Sequence, residues 1–263
     1  TDNTPYTGDN PAVEADDRWV FTEENPYREL HVAACMAAAY RPLKEYDGRL
    51  AEESLQVAEI LWEKNKQRER MASLKADLLC ELILSSGKAE YIESLLALKP
   101  ELAERIDRVA WSIGRILHLI EDNDFTDFVR NGVQAYQTEG SAGWEANPFG
   151  VPYVPHQWGP GWMLQEFGVR QYFLHRHFPD LVTDRYFLNA LNFILGVHPG
   201  TNTASYVSGV GRQSVEVAYG VNRADWSFIP GGSVSGTGLI LPDFFELKEW
   251  PFFWQQTEYV MGG

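Results

Sequence analysis

Apolar residues recur at spacings of three and four through most of the chain, which predicts a helical scaffold. The first such run begins after Asn25-Pro26, a side-chain acceptor at the N-cap with a residue preset for helical φ behind it. It carries Ala33, Ala34, Ala37 and Ala38 on one face, small enough to let a second helix approach closely. Pro42 and the Asp47-Gly48 turn are expected to end this helix, and a second runs from Leu50 through Trp62, so residues 26–66 read as a helical hairpin. Met71, Leu74, Leu78, Leu82 and Ile83 mark a third helix, and Tyr91, Ile92, Leu95 and Leu96 a shorter one over 88–98. Pro100 opens another, in which Leu102, Ile106, Val109, Ile113, Ile116, Leu117 and Ile120 keep one apolar face for about five turns. The Gly-, Asn- and Pro-punctuated stretch from Glu121 to Gly161 is longer than an ordinary helix connection and reads as a binding loop. Helices resume over 161–178 and 183–195, and no alternating run is long enough to propose a large sheet. Residues 1–24 are polar, carry Pro5, Gly8 and Pro11, and read as an extended entry segment before one domain over 25–263.

Helical periodicity stops at Leu195. The C-terminal stretch, from NFILGVHP (192–199) through TASYVSGVG (203–211) to WPFFWQQTEYVM (250–261), is rich in Gly, Pro and aromatics, a composition suited to irregular backbone shaped around a ligand. The formal net charge of -15 repels phosphate backbones and anionic lipid, which argues against nucleic acid and membrane partners and for a neutral ligand. Aromatic residues make up 13% of the chain, with 9 Trp, and flat aromatic faces pack well on the apolar C–H faces of sugar rings. Cys35 and Cys80 lie in helical segments and are expected to be buried thiols. The chain begins at Thr1 without Met, so removal of an export signal or of a longer precursor segment is expected, with a secreted or periplasmic location.

The order of these pieces resembles the C-terminal part of the catalytic module of glycoside hydrolase family 9. That family shows YILGxNP, SYVTGxG, a His-Arg pair, a Gly-Gly-Pro turn and a closing Asn-Glu in similar order. NPYRELHVAACMAAAY (25–40) and HQWGPG (156–161) also resemble its helix starts, so the resemblance runs from about residue 25 onward. It implies an all-α fold: helical hairpins of an (α/α)6 toroid, here the C-terminal half, with an irregular C-terminal segment. It further implies an inverting glycosidase acting on a β-linked polysaccharide or oligosaccharide without a cofactor. The partner expected besides the glycan is the missing N-terminal half of the module or a second copy of the chain.

Glycoside hydrolysis by inversion needs one carboxylic acid to protonate the leaving oxygen and a carboxylate to activate water. Glu258 matches the family's closing Glu, the general acid, with Thr257 where the family has Asn; its aromatic neighbours favour a raised pKa. The family's base, an Asp in a DAGD-type motif, has no match, so the base is expected outside this chain and the chain alone is expected to be inactive. Asn222 and Arg223 stand where the family has its His-Arg pair; Arg223 offers a planar fork to hydroxyls or a carboxylate, or a salt bridge to Asp225. His198, Trp158 and Trp254 join the substrate-binding candidates, as does Tyr206, for which a place in the core is the alternative. No metal site is expected. His175 and His177 point to different sides of a helix, and the acids of EDNDFTD (121–127) lack the glycine and terminal Glu of a calcium loop, so a solvated helix end is the reading there. The alternative function is a non-catalytic carbohydrate-binding or scaffold protein of the same fold. A half toroid is also expected to leave apolar flanks, with Ala33, Ala37, Phe252 and Trp254 exposed and the chain not a dispersed monomer.

Overall fold

The computed structural model describes residues 24–154, 159–201, 203–214, 230–239 and 259–262. The chain forms two compact units, Thr1–Lys88 and Ala89–Gly263. No described helix is long and apolar enough to cross a membrane.

In the first unit, α1 (Pro26–Leu43), α2 (Gly48–Asn65) and α3 (Ala72–Ser86) pack on one another. The hairpin read from the sequence is present, and both of its helices are capped: Asn25 Oδ1 accepts from Arg28 N and Asp47 Oδ1 from Leu50 N, each at 3.0 Å. Pro42 lies inside the last turn of α1 instead of ending it. The small face of α1 does what small faces allow. Ser85 on α3 comes close enough to donate to the Ala37 carbonyl at 2.6 Å, and Arg41 reaches Ser85 Oγ at 2.7 Å and Glu81 Oε2 at 2.5 Å. Ala33 and Ala37 are therefore fully buried, which corrects the expectation that they form an exposed flank; Phe252 and Trp254 lie outside the described residues. Cys80 is buried as expected, but Cys35 is exposed, on the side of α1 turned away from this contact.

The second unit holds α4 (Ala89–Ala97), α5 (Lys99–Leu102), α6 (Ile106–Ile113), a 3-10 turn at Leu117–Leu119, α7 (Asn123–Glu145), α8 (Gly161–His177) and α9 (Arg185–Ile194). Two differences from the sequence reading stand out. The five-turn helix over 100–120 is broken, although Leu102, Ile106, Val109, Ile113, Ile116 and Ile120 are all buried. At the breaks the backbone closes tighter i to i−3 bonds, Arg105 N to Leu102 O at 2.9 Å and Ile116 N to Ile113 O at 2.9 Å. Short helical pieces joined in this way keep the same side inward, so apolar spacing alone does not separate them from one helix.

The second difference is that most of the 121–161 stretch is the 23-residue α7, not a loop. Asp122 starts it, its Oδ1 accepting from Phe125 N at 2.8 Å, so the acidic run is a helix beginning; Asp124 pairs with Lys99. The glycines that looked like punctuation have other reasons. Gly132 is where α7 crosses α6: a Cβ there would lie 2.2 Å from Ile106 Cγ2. Gly143 meets nothing within 4 Å. Gly132→Ala is therefore expected to destabilise by about 1–3 kcal/mol through overpacking. Gly143→Ala is expected to stabilise by about 0.4–1 kcal/mol through the unfolded state. Denaturant midpoints of the two variants check the opposite signs.

Candidate functional site

The C-terminal stretch is organised by the end of α9. A helix leaves its last carbonyls without intrahelical donors, and here the returning chain supplies them: Tyr206 N donates to Ile194 O at 2.8 Å and Arg212 N to Leu195 O at 3.0 Å. Gly196 makes the exit possible, with φ 71° and the Thr203 carbonyl so near that a Cβ would sit 2.2 Å from its oxygen. Between these bonds β1 (Ala204–Ser205) runs parallel to β2 (Gln213–Ser214).

Residues 230–236 then lie along this loop. Val234 N donates to Tyr206 O at 2.9 Å, Ser208 N to Gly232 O at 2.9 Å and Gly231 N to Ser208 O at 2.8 Å. The same segment is tied to α8, whose Gly161 N donates to Ser235 O at 2.7 Å and whose Gln165 donates to Ser233 Oγ at 2.5 Å. It continues into β3 (Gly236–Leu239), which pairs antiparallel with β4 (Tyr259–Gly262) in the register Leu239 to Tyr259 and Gly236 to Gly262. Three segments far apart in sequence, 203–214, 230–239 and 259–262, are thus joined by one hydrogen-bond network, and Glu258 is the residue before β4.

Tyr206 is at the centre of this network and is 4% exposed. Its ring meets Phe193 edge-on at 5.9 Å, and Gly236 presses against it so closely that a Cβ would fall 2.1 Å from Cε2. Of the two readings of Tyr206, the core is the place it occupies. His198 is half-buried instead. Its ring stacks on Phe193 at 5.2 Å, meets Phe149 edge-on at 5.1 Å, and its Nδ1 accepts from Gly200 N at 3.0 Å. It opens on a cavity of about 300 Å³ with Glu145, Phe149, Arg185, Asn189 and Asn192. Glu145 Oε1 there accepts from Arg185 Nη1 at 2.8 Å and from Tyr186 Oη at 3.0 Å. Burial, and then the bond to the Glu145 carboxylate, hold the Tyr186 phenol above its ordinary pKa, so it stays a donor. Glu258, Asn222, Arg223, Trp158 and Trp254 lie outside the described residues.

Sequence reasoning missed Glu145, Arg185, Asn189 and Asn192. A signal was there: Arg185, Asn189 and Asn192 stand four and three apart on the otherwise apolar RYFLNALNFI, which puts them on one face.

Among the described residues no group of three His, Cys, Asp or Glu side chains is placed to hold a metal ion. His175 Nδ1 lies 2.7 Å from the Val182 carbonyl oxygen and so carries the proton, while the His177 ring stacks on Phe173. Burial first, then Arg176, Arg115 and His118, push the His177 pKa down, and among the described residues its Nε2 has no hydrogen-bond partner. A base whose folded pKa lies below its unfolded value stabilises above the unfolded pKa, about 6.5, and that contribution is lost as pH falls through the folded value. Stability is expected to fall on acidification below about pH 6.5, and His177→Gln to flatten that part of the profile in denaturant titrations.

Neither a family profile nor a curated protein sequence matches the chain. Solved structures do. A thermostable endoglucanase from Alicyclobacillus acidocaldarius superposes with a TM-score of 0.65 at 14% identity, over 89% of this chain and 50% of that one. A metagenome-derived glycoside hydrolase family 9 endoglucanase gives 0.61 at 20% identity, over 80% and 43%. The catalytic domain of Clostridium thermocellum CelT gives 0.57 at 15% identity, over 82% and 54%. The fold is that of the C-terminal half of a family-9 glycoside hydrolase module. The chain spans about half the length of the structures it resembles. Helical hairpins of an (α/α)6 toroid, expected from the sequence resemblance, are thus the architecture of this half-module.

Proposed function

We propose that the half-module belongs to a glycoside hydrolase that cleaves a β-linked polysaccharide or oligosaccharide with inversion. The observation that carries the reading is the likeness to endoglucanase structures over 89% of the chain. Glu258 enters as general acid because it directly precedes β4, the strand held by β3 to the 203–214 loop, in the part of the chain where the sequence resembles the family's acid.

In this reaction Glu258 gives its proton to the glycosidic oxygen as the bond to the anomeric carbon breaks. A carboxylate across the cleft takes a proton from water, which attacks from the opposite face; inversion requires the two carboxyl groups about 6.5–9.5 Å apart. Arg223 and Asn222 supply donors to ring hydroxyls, and Trp158 and Trp254 supply apolar faces for stacking. The base is contributed by a segment outside these 263 residues, and secretion or export to the periplasm brings the enzyme to its glycan. The test is reducing-sugar release from soluble β-glucan by the chain alone and by the chain joined to a complementary helical half. Release only by the joined form supports the reading. Sugar binding without release in both forms supports the non-catalytic alternative.

A further inference from the structure

Helix α9 has two faces of opposite chemistry. Phe187, Ala190, Leu191 and Ile194 line an apolar groove beside α8, whereas Arg185, Asn189 and Asn192 line the cavity that contains His198. A stripe that was merely solvated would need no facing wall. Here residues 147–150 and 197–199 complete a concavity around it.

The polar groups in this concavity are arranged for a neutral guest. The Arg185 guanidinium is held by Glu145, so the wall contains both charges already paired. Asn189 donates its amide to the Gly150 carbonyl at 3.2 Å, which leaves Oδ1 as an acceptor. The Asn192 side chain, exposed at the cavity, has no hydrogen-bond partner among the described residues and offers both a donor and an acceptor. His198 Nδ1 is already engaged, accepting from Gly200 N at 3.0 Å. Phe149 adds an apolar wall. Donors and acceptors alternating around a small apolar surface match a ring bearing several hydroxyls. The volume of about 300 Å³ is at the low end for small-molecule sites, which suits one sugar ring.

We propose that this cavity binds a single neutral pyranose unit of a β-linked glucan, with Asn189, Asn192 and the Glu145–Arg185 pair bonding its hydroxyls. The assignment rests on the carbohydrate reading above and adds a site that the hydrolytic residues do not use.

The experiment is calorimetric titration of the intact chain with cellotetraose and with a glucuronate oligomer, on the wild type, Asn192→Ala and Asn189→Ala with Asn192→Ala. Cellotetraose is expected to bind the wild type and to bind each variant about five- to tenfold more weakly, the loss of one or two neutral hydrogen bonds. Asn192→Ala is expected to leave the melting temperature unchanged, since its side chain is exposed. Unchanged cellotetraose affinity in both variants overturns the site while leaving the carbohydrate reading in place. Tighter binding of the glucuronate oligomer than of cellotetraose overturns its neutral class. A wild type that binds neither oligomer overturns the site outright, and sugar release by the joined module then shows separately whether the hydrolase reading stands.

Discussion

Glu258→Gln is expected to lower hydrolysis of β-glucan by the joined module about 10²–10⁴-fold, the usual contribution of a positioned general acid. Gln keeps the size and the hydrogen-bonding outline of Glu but has no proton to give, so binding survives and the chemical step fails. The loss should depend on the leaving group. A sugar hydroxyl needs its proton as the glycosidic bond breaks, whereas a nitrophenolate leaves without one. The variant is therefore expected to lose most of its kcat on polysaccharide and far less on a dinitrophenyl β-cellobioside. That split distinguishes a missing acid from a distorted cleft, which would slow both substrates together. Equal polysaccharide rates for wild type and Glu258→Gln would remove Glu258 from the role of acid.

Gly236→Ala is expected to be strongly destabilising. Its φ of 87° is one that L-residues rarely adopt, and a Cβ would lie 2.1 Å from the Tyr206 ring, itself 4% exposed and unable to move aside. Left-handed strain of about 1–2 kcal/mol adds to overpacking of about 1–3 kcal/mol, so a loss of about 2–5 kcal/mol is expected in denaturant unfolding. Tyr206→Leu should relieve the steric part and leave the backbone part. The double variant Gly236→Ala with Tyr206→Leu is then expected to be more stable than the sum of the two single losses predicts, a coupling that a double-mutant cycle measures. Gly236 opens β3, and β3 holds β4 beside it. The same variant is therefore expected to lower activity of the joined module through the strand next to Glu258.

Local chemistry was legible in the sequence wherever the deciding interaction is between near neighbours. Asn25-Pro26 announces a cap because the acceptor and the amide it serves are three residues apart, and it forms; Asp47-Gly48, read as a turn, also caps α2 through Leu50 N. Leu102, Ile106, Val109, Ile113, Ile116 and Ile120 are buried, because period reports which side faces inward, whereas Leu117 of the same predicted face is only half-buried. The order of NFILGVHP, SYVSGVG and the Gly-rich turn carried the family resemblance, and the structure shows why that order is coherent: each piece bonds to the end of α9 or to its neighbour. Of the residues proposed for chemistry, His198 is found on a cavity, Tyr206 in the core, and Glu258, Asn222, Arg223, Trp158 and Trp254 lie outside the described residues.

Only the tertiary structure decided the rest, and in each case the reason is a contact between residues distant in sequence. Whether 100–120 is one helix or several depends on backbone bonds to i−3 or i−4, to which side-chain period is blind. Glycine is ambiguous by itself: Gly132 marks a helix crossing on Ile106 and not a loop, which nothing local to α7 reveals. Cys35 is exposed and Ala33 and Ala37 buried on one helix because α3 chose the face to cover. Asn189 and Asn192 became a site only when Glu145, Phe149 and His198 were folded around them. A sequence specifies what each residue is able to do; which of them meet is fixed by long-range packing, whose partners no local window contains.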